Sequence, residues 1–303
     1  MFFVAQLIGI AVIHSYSPQI KQATNENGEI VNITTYNLPF GTDPPQNISP
    51  KESLLSIAIA IFIAVSLMFI LMKYRAEIFL RLWFFIVVTL ALAITINSAL
   101  LRFAIPSYIA LIIALPFSFL KIFKRNIIVH NITELLIYPG IGAIFVPLLN
   151  IWTVVLLLIL ISFYDMYAVW HSGIMQKMAK YQIQQLRIFS GFFVPYVGKK
   201  QSELIKNMKP SSSTKSLKEK KVKVSVAILG GGDVVFPIIL AGVVLRALGP
   251  IQAVIISIGA TIALALLFYY SEKGKFYPAM PFISTGCFIA LFIDYIPSLI
   301  SHI

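Results

Sequence analysis

The sequence predicts an all-α polytopic membrane protein with nine transmembrane helices. Of its 303 residues, 58% are hydrophobic and only 12% are charged, and the mean hydropathy is +0.87. A soluble domain contains about 25% charged residues, so this composition excludes an ordinary soluble globule and a disordered chain. Apolar runs near the length that crosses a bilayer, about 20 residues each, make up most of the chain. The single cysteine excludes a disulfide framework.

Nine apolar runs define the predicted spans. The stretch 134–170 is too long for one span and contains prolines and glycines that offer breaks, so we divide it at Asn150. The predicted spans are 1–14, 54–72, 78–101, 103–123, 134–150, 151–170, 224–248, 251–270 and 282–300.

A basic hydrophilic segment divides the chain into two groups of spans. Residues 1–170 form an N-terminal six-span part, residues 171–223 form the hydrophilic loop, and residues 224–303 form a C-terminal three-span part. Residues 199–223 of this loop are rich in serine and lysine, and a segment of this composition is expected to be disordered.

Lysine and arginine residues are distributed unequally between the two sides of the predicted membrane. If the 171–223 loop is cytoplasmic, nineteen basic residues lie in cytoplasmic loops and four lie outside. Basic residues concentrate in cytoplasmic loops, so we predict an integral multi-pass protein with a cytoplasmic N-terminus and loop and an outside C-terminus. The net charge of +12 then reflects topology, and no nucleic-acid partner is expected.

Two aspartates, Asp165 and Asp233, lie well inside predicted spans. Carboxylates at bilayer depth are rare and costly, which makes each one a functional candidate. At 1.5 Å per helical residue they lie roughly 18 Å and 15 Å from the nearest cytoplasmic lysine, so both reach a similar depth. The remaining acidic residues, including Glu77, Glu134 and Asp294, are predicted to lie in loops or near span ends, at the membrane interface.

Two facing carboxylates suit acid–base chemistry on a peptide bond. Because they repel each other when both are ionised, the pair shares one proton; one member acts as general base on a water and the other polarises a carbonyl as general acid. Intramembrane acids also serve as proton or cation relays. The residues alone therefore leave open an aspartyl protease, a proton-coupled transporter or ion channel, and a structural scaffold with buried acids.

Three glycines, Gly230, Gly231 and Gly232, directly precede Asp233. Glycine weakens a helix and leaves its backbone accessible, so this segment suits the approach of an extended peptide to the acid. Close packing of helices on a glycine face is the alternative reason for such a run.

A proline-containing segment, Pro278-Ala279-Met280-Pro281, precedes the last span. Two prolines three residues apart prevent a regular helix across them. An extended chain covers about 3.3 Å per residue, which brings Met280 to the depth of the two aspartates. Its backbone there is expected to pair with a substrate strand, and a proline kink at a helix start is the alternative.

These segments resemble the motifs of a known family. Tyr164-Asp165 on the sixth span, Gly230-x-Gly232-Asp233 on the seventh and Pro278-Ala279-Met280 before the ninth are similar to the YD, GxGD and PAL motifs of presenilins and signal peptide peptidases, which are intramembrane aspartyl proteases. Nine spans and a hydrophilic loop between the sixth and seventh extend the resemblance over nearly the whole chain. It implies a presenilin-like fold, and the short chain resembles microbial, archaeal members.

The resemblance also implies roles for individual residues. Asp165 and Asp233 would form the catalytic dyad, and the other motif residues would position the substrate. The implied substrate-positioning residues are Tyr164, Gly230, Gly231, Gly232, Pro278, Ala279, Met280 and Pro281. The family's third motif ends in leucine, and methionine has a similar volume, so packing should be retained while fine selectivity is open.

The expected partners follow from this interpretation. Substrates would be transmembrane peptides or membrane proteins whose N-terminus lies outside, in contact with a lipid bilayer, and a homo-oligomer is possible. No cofactor is expected other than a catalytic water. No metal site is expected either, because the four histidines are dispersed and lack metal-ligand spacing.

Overall fold

The computed structural model describes most of the chain. The described residues are 1–24, 30–36, 38–43, 50–74, 76–124, 126–171, 173, 181, 190–196, 225–271 and 277–300. The predicted 171–223 loop falls largely outside these ranges.

The described ranges contain nine α-helices, in the predicted order. They are α1 (Phe2–Ser15), α2 (Pro50–Lys73), α3 (Glu77–Leu100), α4 (Ser107–Phe123), α5 (Ile127–Phe145), α6 (Ile151–Trp170), α7 (Gly231–Ala247), α8 (Pro250–Tyr270) and α9 (Met280–Ile300). By length and composition, α2, α3, α5, α6 and α8 can each cross a membrane, and α1 and α4 are shorter apolar helices. The all-α polytopic prediction is therefore confirmed.

Two short hairpins were not predicted. Strands β1 (Gln19–Thr24) and β2 (Ile30–Thr35) pair antiparallel in the connection after α1. Strands β3 (Gly191–Tyr196) and β4 (Ser225–Gly230) also pair antiparallel, with Gly191 opposite Gly230. We call the second pair the β3–β4 hairpin. It joins the end of the hydrophilic loop to α7.

Two predicted span boundaries were wrong. The seventh span was predicted to begin at residue 224, but the chain is a strand up to Gly230 and becomes helical at Gly231, because residues 225–229 pair with β3 instead of continuing a helix. The fifth span was predicted over 134–150, but α5 begins at Ile127. Asn126 caps this earlier start, since its side chain accepts hydrogen bonds from the amides of Ile128 and Val129.

Helix α7 lies at the centre of the bundle. Thirteen of its 17 residues are buried, and it packs against α1, α5, α6 and α8. On α1, the fully buried Gln6 side chain donates to the carbonyl oxygen of Val234 at 3.1 Å. Helix α2 is peripheral by contrast, since only 6% of its most apolar 18-residue stretch is buried. The start of α7, which carries Asp233, is thus held inside the protein.

Helices α3 and α5 cross at unusually short range. A side chain at Gly140 would overlap the carbonyl oxygen of Ala91 and come within 2.9 Å of the Thr95 hydroxyl oxygen. The Thr95 hydroxyl donates to the carbonyl oxygen of Leu136 at 2.6 Å. Only glycine permits this backbone contact, which sets the position of α5 beside the rest of the bundle.

Candidate active site

Asp165 lies on α6 and binds the beginning of α9. Its side chain is 6% exposed, and its Oδ2 accepts a hydrogen bond from the Met280 amide at 3.1 Å. The Ala279 amide also donates to this carboxylate. The first amides of a helix lack partners within the helix and favour a negative charge. Asp165 therefore caps α9 from a neighbouring helix.

The prolines explain why α9 begins at this point. The first helical bond runs from the Ile283 amide to the carbonyl oxygen of Ala279 at 3.1 Å. Pro281 lies in the first turn, where its missing amide hydrogen costs little, and 277–279 is not helical. The segment was predicted to be extended as far as Pro281; instead Met280 and Pro281 already belong to the helix.

A second contact keeps α6 and α9 in register. The Ser162 hydroxyl, one turn before Asp165, donates to the Ser284 hydroxyl oxygen at 3.0 Å. Ser284 lies one turn after Met280. Two polar contacts on matching turns therefore fix Asp165 against the start of α9.

Asp233 lies in the first turn of α7, with its side chain 6% exposed. Gly230 is the N-cap residue, and its amide donates to the Asp233 carboxylate. Asp233 was predicted to lie ten residues inside a helix; it is instead the third residue of α7, which directly follows β4. Both aspartates are therefore held at helix N-termini, Asp165 at that of α9 and Asp233 at that of α7.

The fold brings the two aspartates together. Their carboxyl groups lie within electrostatic range of each other, and α6, α7 and α9 pack pairwise around them. Neither carboxylate forms an ion pair with any residue that the structure describes. Two buried acids without a cationic partner can share a proton, which is the arrangement that general acid–base chemistry requires.

The remaining predicted site residues divide into buried and exposed positions. Gly231, Pro278, Ala279 and Met280 are buried, and Gly230 and Pro281 are half-buried. Gly232 is exposed, and the Tyr164 side chain is 45% exposed. The two exposed residues each directly precede a buried aspartate in the sequence, so the protein surface lies one residue away from each aspartate along the chain.

Gly231 is enclosed by polar groups. The Gly231 amide donates to the carbonyl oxygen of Ser190 at 3.2 Å. A Cβ atom at this position would lie 2.8 Å from the Ser190 hydroxyl oxygen and 3.1 Å from that of Tyr138. Tyr138, on α5, is buried and packs edge to face on Phe192 of β3, with ring centroids 5.5 Å apart. The backbone that leads to Asp233 is therefore closely packed against Ser190 and Tyr138.

A buried polar cluster on α4 and α5 was missed in the sequence. Lys121 and Glu134 form an ion pair with side chains 3% and 0% exposed, and the His130 Nε2 lies 3.7 Å from the Glu134 carboxylate. Glu134 was predicted to lie at the start of a span, but it lies two turns inside α5, which begins at Ile127. One signal of this cluster was available in the sequence. Its members on α5 are spaced four residues apart, which places them on one face of the helix: His130, Glu134 and Tyr138.

Comparisons with known proteins agree on one family. A family model described as signal-peptide peptidase, presenilin aspartyl protease, matches residues 31–300. Two crystal forms, C222 and P2, of a presenilin family intramembrane aspartate protease have the same fold, with TM-scores of 0.59 and 0.58 and 17% sequence identity. The matches cover 97% of this chain and 96% and 94% of those chains.

No curated protein sequence matches this chain. The family match extends over most of the chain and includes every predicted site residue. It favours a protease over the transporter and the scaffold that the sequence left open. The chain belongs to the signal peptide peptidase and presenilin family of intramembrane aspartyl proteases.

Proposed function

We propose that this protein hydrolyses peptide bonds of transmembrane segments with Asp165 and Asp233 as its catalytic dyad. The observation that carries the proposal is the presence of two buried carboxyl groups within electrostatic range of each other, each at a helix N-terminus and neither ion-paired among the described residues. No cofactor enters the reaction. A water molecule is the nucleophile.

In the proposed hydrolysis, one carboxyl group acts as general base and the other as general acid. The ionised one removes a proton from water, which attacks the peptide carbonyl carbon, while the protonated one donates a hydrogen bond to the carbonyl oxygen. Transfer of a proton to the amide nitrogen then breaks the carbon–nitrogen bond and yields a carboxylic acid and an amine. Because two coupled acids titrate as one unit, the proposal assigns the roles to the pair.

The proline-containing segment has a specific part in this proposal. The amides of Ala279 and Met280 donate to Asp165, and the two prolines have no amide hydrogen. This segment therefore orients Asp165 before it meets a substrate, and a substrate strand would pair with it only by displacing these contacts.

Substrate approach is proposed at Tyr164 and Gly232, the two exposed residues that directly precede the buried aspartates in the sequence. A transmembrane segment would unwind beside 230–233, since a helix conceals its own peptide bonds. The apolar helix α2 lies at the periphery of the bundle, in contact with α6 and α3.

A cleavage assay tests the proposed function. Purified protein in detergent is incubated with a single-span peptide that carries a fluorophore and a quencher, and the products are identified by mass spectrometry. Cleavage inside the apolar segment supports the proposal. Intact peptide with the wild-type protein, or cleavage only in its soluble flanks, would contradict it.

The two glycines before Asp233 should respond differently to the same substitution. Gly231→Ala forces a Cβ against Ser190 and Tyr138, whereas the nearest atom to a Cβ at Gly232 is 3.6 Å away. We expect Gly231→Ala to lower kcat about tenfold or more by displacing Asp233 and to lower the thermal unfolding midpoint, whereas Gly232→Ala should keep the wild-type midpoint. Equal unfolding midpoints for the two variants would refute this account of Gly231.

Membrane orientation is also part of the proposal. We propose a cytoplasmic N-terminus and 171–223 loop, an outside C-terminus, and substrates whose N-terminus lies outside. Cysteines placed singly at Ser211, Ser212 or Ser213, which lie outside the described residues, should react with an impermeant maleimide only after permeabilisation. The native Cys287 is buried and should not react.

Ser17→Cys provides the matched control for this labelling. Ser17 is exposed and follows α1 directly, so the proposed orientation places it outside. It should react in intact cells. The opposite pattern at Ser17 and at 211–213 would reverse the proposed orientation and the expected direction of substrates.

A further inference from the structure

We infer that His130 and Asn131 on α5 are positioning residues, which hold Asp233 in place through the β3–β4 hairpin although neither is expected to touch substrate. The inference rests on the proposed function, because it concerns the geometry of the same dyad. It assigns a role to the polar face of α5 that the catalytic chemistry does not use.

Both residues bind the backbone of β3. The Asn131 side chain donates to the carbonyl oxygen of Phe193 at 3.0 Å and accepts from the Phe193 amide at 3.1 Å. The His130 Nε2 lies 2.8 Å from the carbonyl oxygen of Gly191, so this nitrogen carries the hydrogen and donates. The outer edge of β3, which has no strand partner on that side among the described residues, is thus hydrogen-bonded by side chains of α5.

The hairpin transmits this attachment to Asp233. Gly191 pairs with Gly230 across the hairpin, and the Gly230 amide donates to the Asp233 carboxylate. Beside this pair, the Gly231 amide donates to the carbonyl oxygen of Ser190. Between the His130 ring and the Asp233 carboxylate, the chain of contacts therefore passes only through backbone groups, at the end of the hairpin where Gly191 faces Gly230.

The Lys121–Glu134 ion pair lies beside the His130 ring. Glu134 lies one turn after His130, and its carboxylate is 3.7 Å from the His130 Nε2. A buried ion pair is costly to form and is weak evidence for stability by itself. Its carboxylate lies beside the His130 nitrogen that faces Gly191, where a negative charge favours a hydrogen on that nitrogen.

Helix α5 has other attachments that do not involve the hairpin. It packs against α1, α3 and α7, and Thr95 of α3 binds its Leu136 carbonyl. Loss of the bonds to β3 should therefore loosen the hairpin locally while the bundle stays folded, because protein regions open with separate free energies. A displacement of about 1 Å at a catalytic group can lower the rate about 100-fold.

The test compares substitutions that keep the size of the side chain but remove its bonds to β3. In Asn131→Leu and His130→Phe, we expect kcat for the peptide to fall about 10- to 100-fold with little change in KM. His130→Gln keeps an N–H donor toward Gly191, so it should recover most of the loss seen in His130→Phe.

Thr133→Val is the matched control on the same helix. The Thr133 hydroxyl is buried and donates only to carbonyl oxygens of its own helix, those of Val129 and His130. This variant should keep wild-type kcat. Hydrogen exchange followed by mass spectrometry should show faster exchange at 190–193 and 230–233 in Asn131→Leu and His130→Phe, with α6 and α8 unchanged.

The outcomes separate this inference from the proposed function. If the wild-type protein does not cleave, the proposed function fails, and the exchange data still decide whether α5 holds the hairpin. If the wild type cleaves while Asn131→Leu and His130→Phe match it, or Thr133→Val loses as much kcat as they do, positioning by α5 is wrong. Failure of His130→Gln to recover activity would contradict the role assigned to the His130 donor.

Discussion

Replacing Asp165 or Asp233 by asparagine is expected to lower kcat for a transmembrane peptide by about 10²- to 10⁴-fold. An amide can neither remove a proton from water nor donate one to the leaving nitrogen. Because the two carboxyl groups act as one unit, the double variant should be little worse than either single variant. The assay is the peptide cleavage described above, run with wild type and all three variants at equal protein concentration.

The fold should survive these substitutions. Asparagine has the same shape as aspartate and retains one side-chain oxygen, which can still accept from the Met280 amide at position 165 or the Gly230 amide at position 233. Asp43→Asn is the control, since Asp43 is an exposed acid that accepts from the Leu38 amide at 2.7 Å. Persistent cleavage inside the apolar segment by either dyad variant would remove that aspartate from the mechanism.

The largest effect on stability is expected at the crossing of α3 and α5. Gly140→Ala places a methyl group against the Ala91 carbonyl oxygen, which is backbone and cannot rotate away. Overpacking of this kind costs about 1–3 kcal/mol or more. We expect a clear fall in the thermal unfolding midpoint in detergent, with Gly232→Ala as the control because its new methyl group meets no atom closer than 3.6 Å.

The catalytic consequence of Gly140→Ala should be indirect. Helix α5 carries the side chains that bind the β3–β4 hairpin, so its displacement by the new methyl group should also reduce kcat. A variant with wild-type unfolding midpoint would show that α3 and α5 can separate without cost. That result would contradict the close crossing.

Features with a local sequence signal were predicted well. Helix α6 begins and ends at the predicted residues, because Asn150 and Thr153 form a capping box at its start and its apolar run is uninterrupted. Asp165 and Asp233 were identified because an unpaired carboxylate inside an apolar span is unusual. The glycine run and the proline-containing segment were identified because both residue types disfavour a regular helix.

Features that depend on distant partners were not predicted. His130 and Gly191 are 61 residues apart, and nothing in the local sequence of either indicates the contact. Pro195 lies within β3, and proline is tolerated there because β3 is at the edge of a two-stranded sheet. Glu134 was taken for the end of a span because its partner, Lys121, lies on the previous helix.

The cap that Asp165 provides to α9 has a consequence for solvation. A carboxylate at bilayer depth normally needs water around it, since apolar surroundings do not stabilise its charge. Here the amides of Ala279 and Met280 take the place of part of that hydration shell. Because these dipoles are fixed by folding, they do not have to reorient when charge moves during the reaction, as water would. The backbone at the start of α9 thus replaces part of the solvent around one of the two acids.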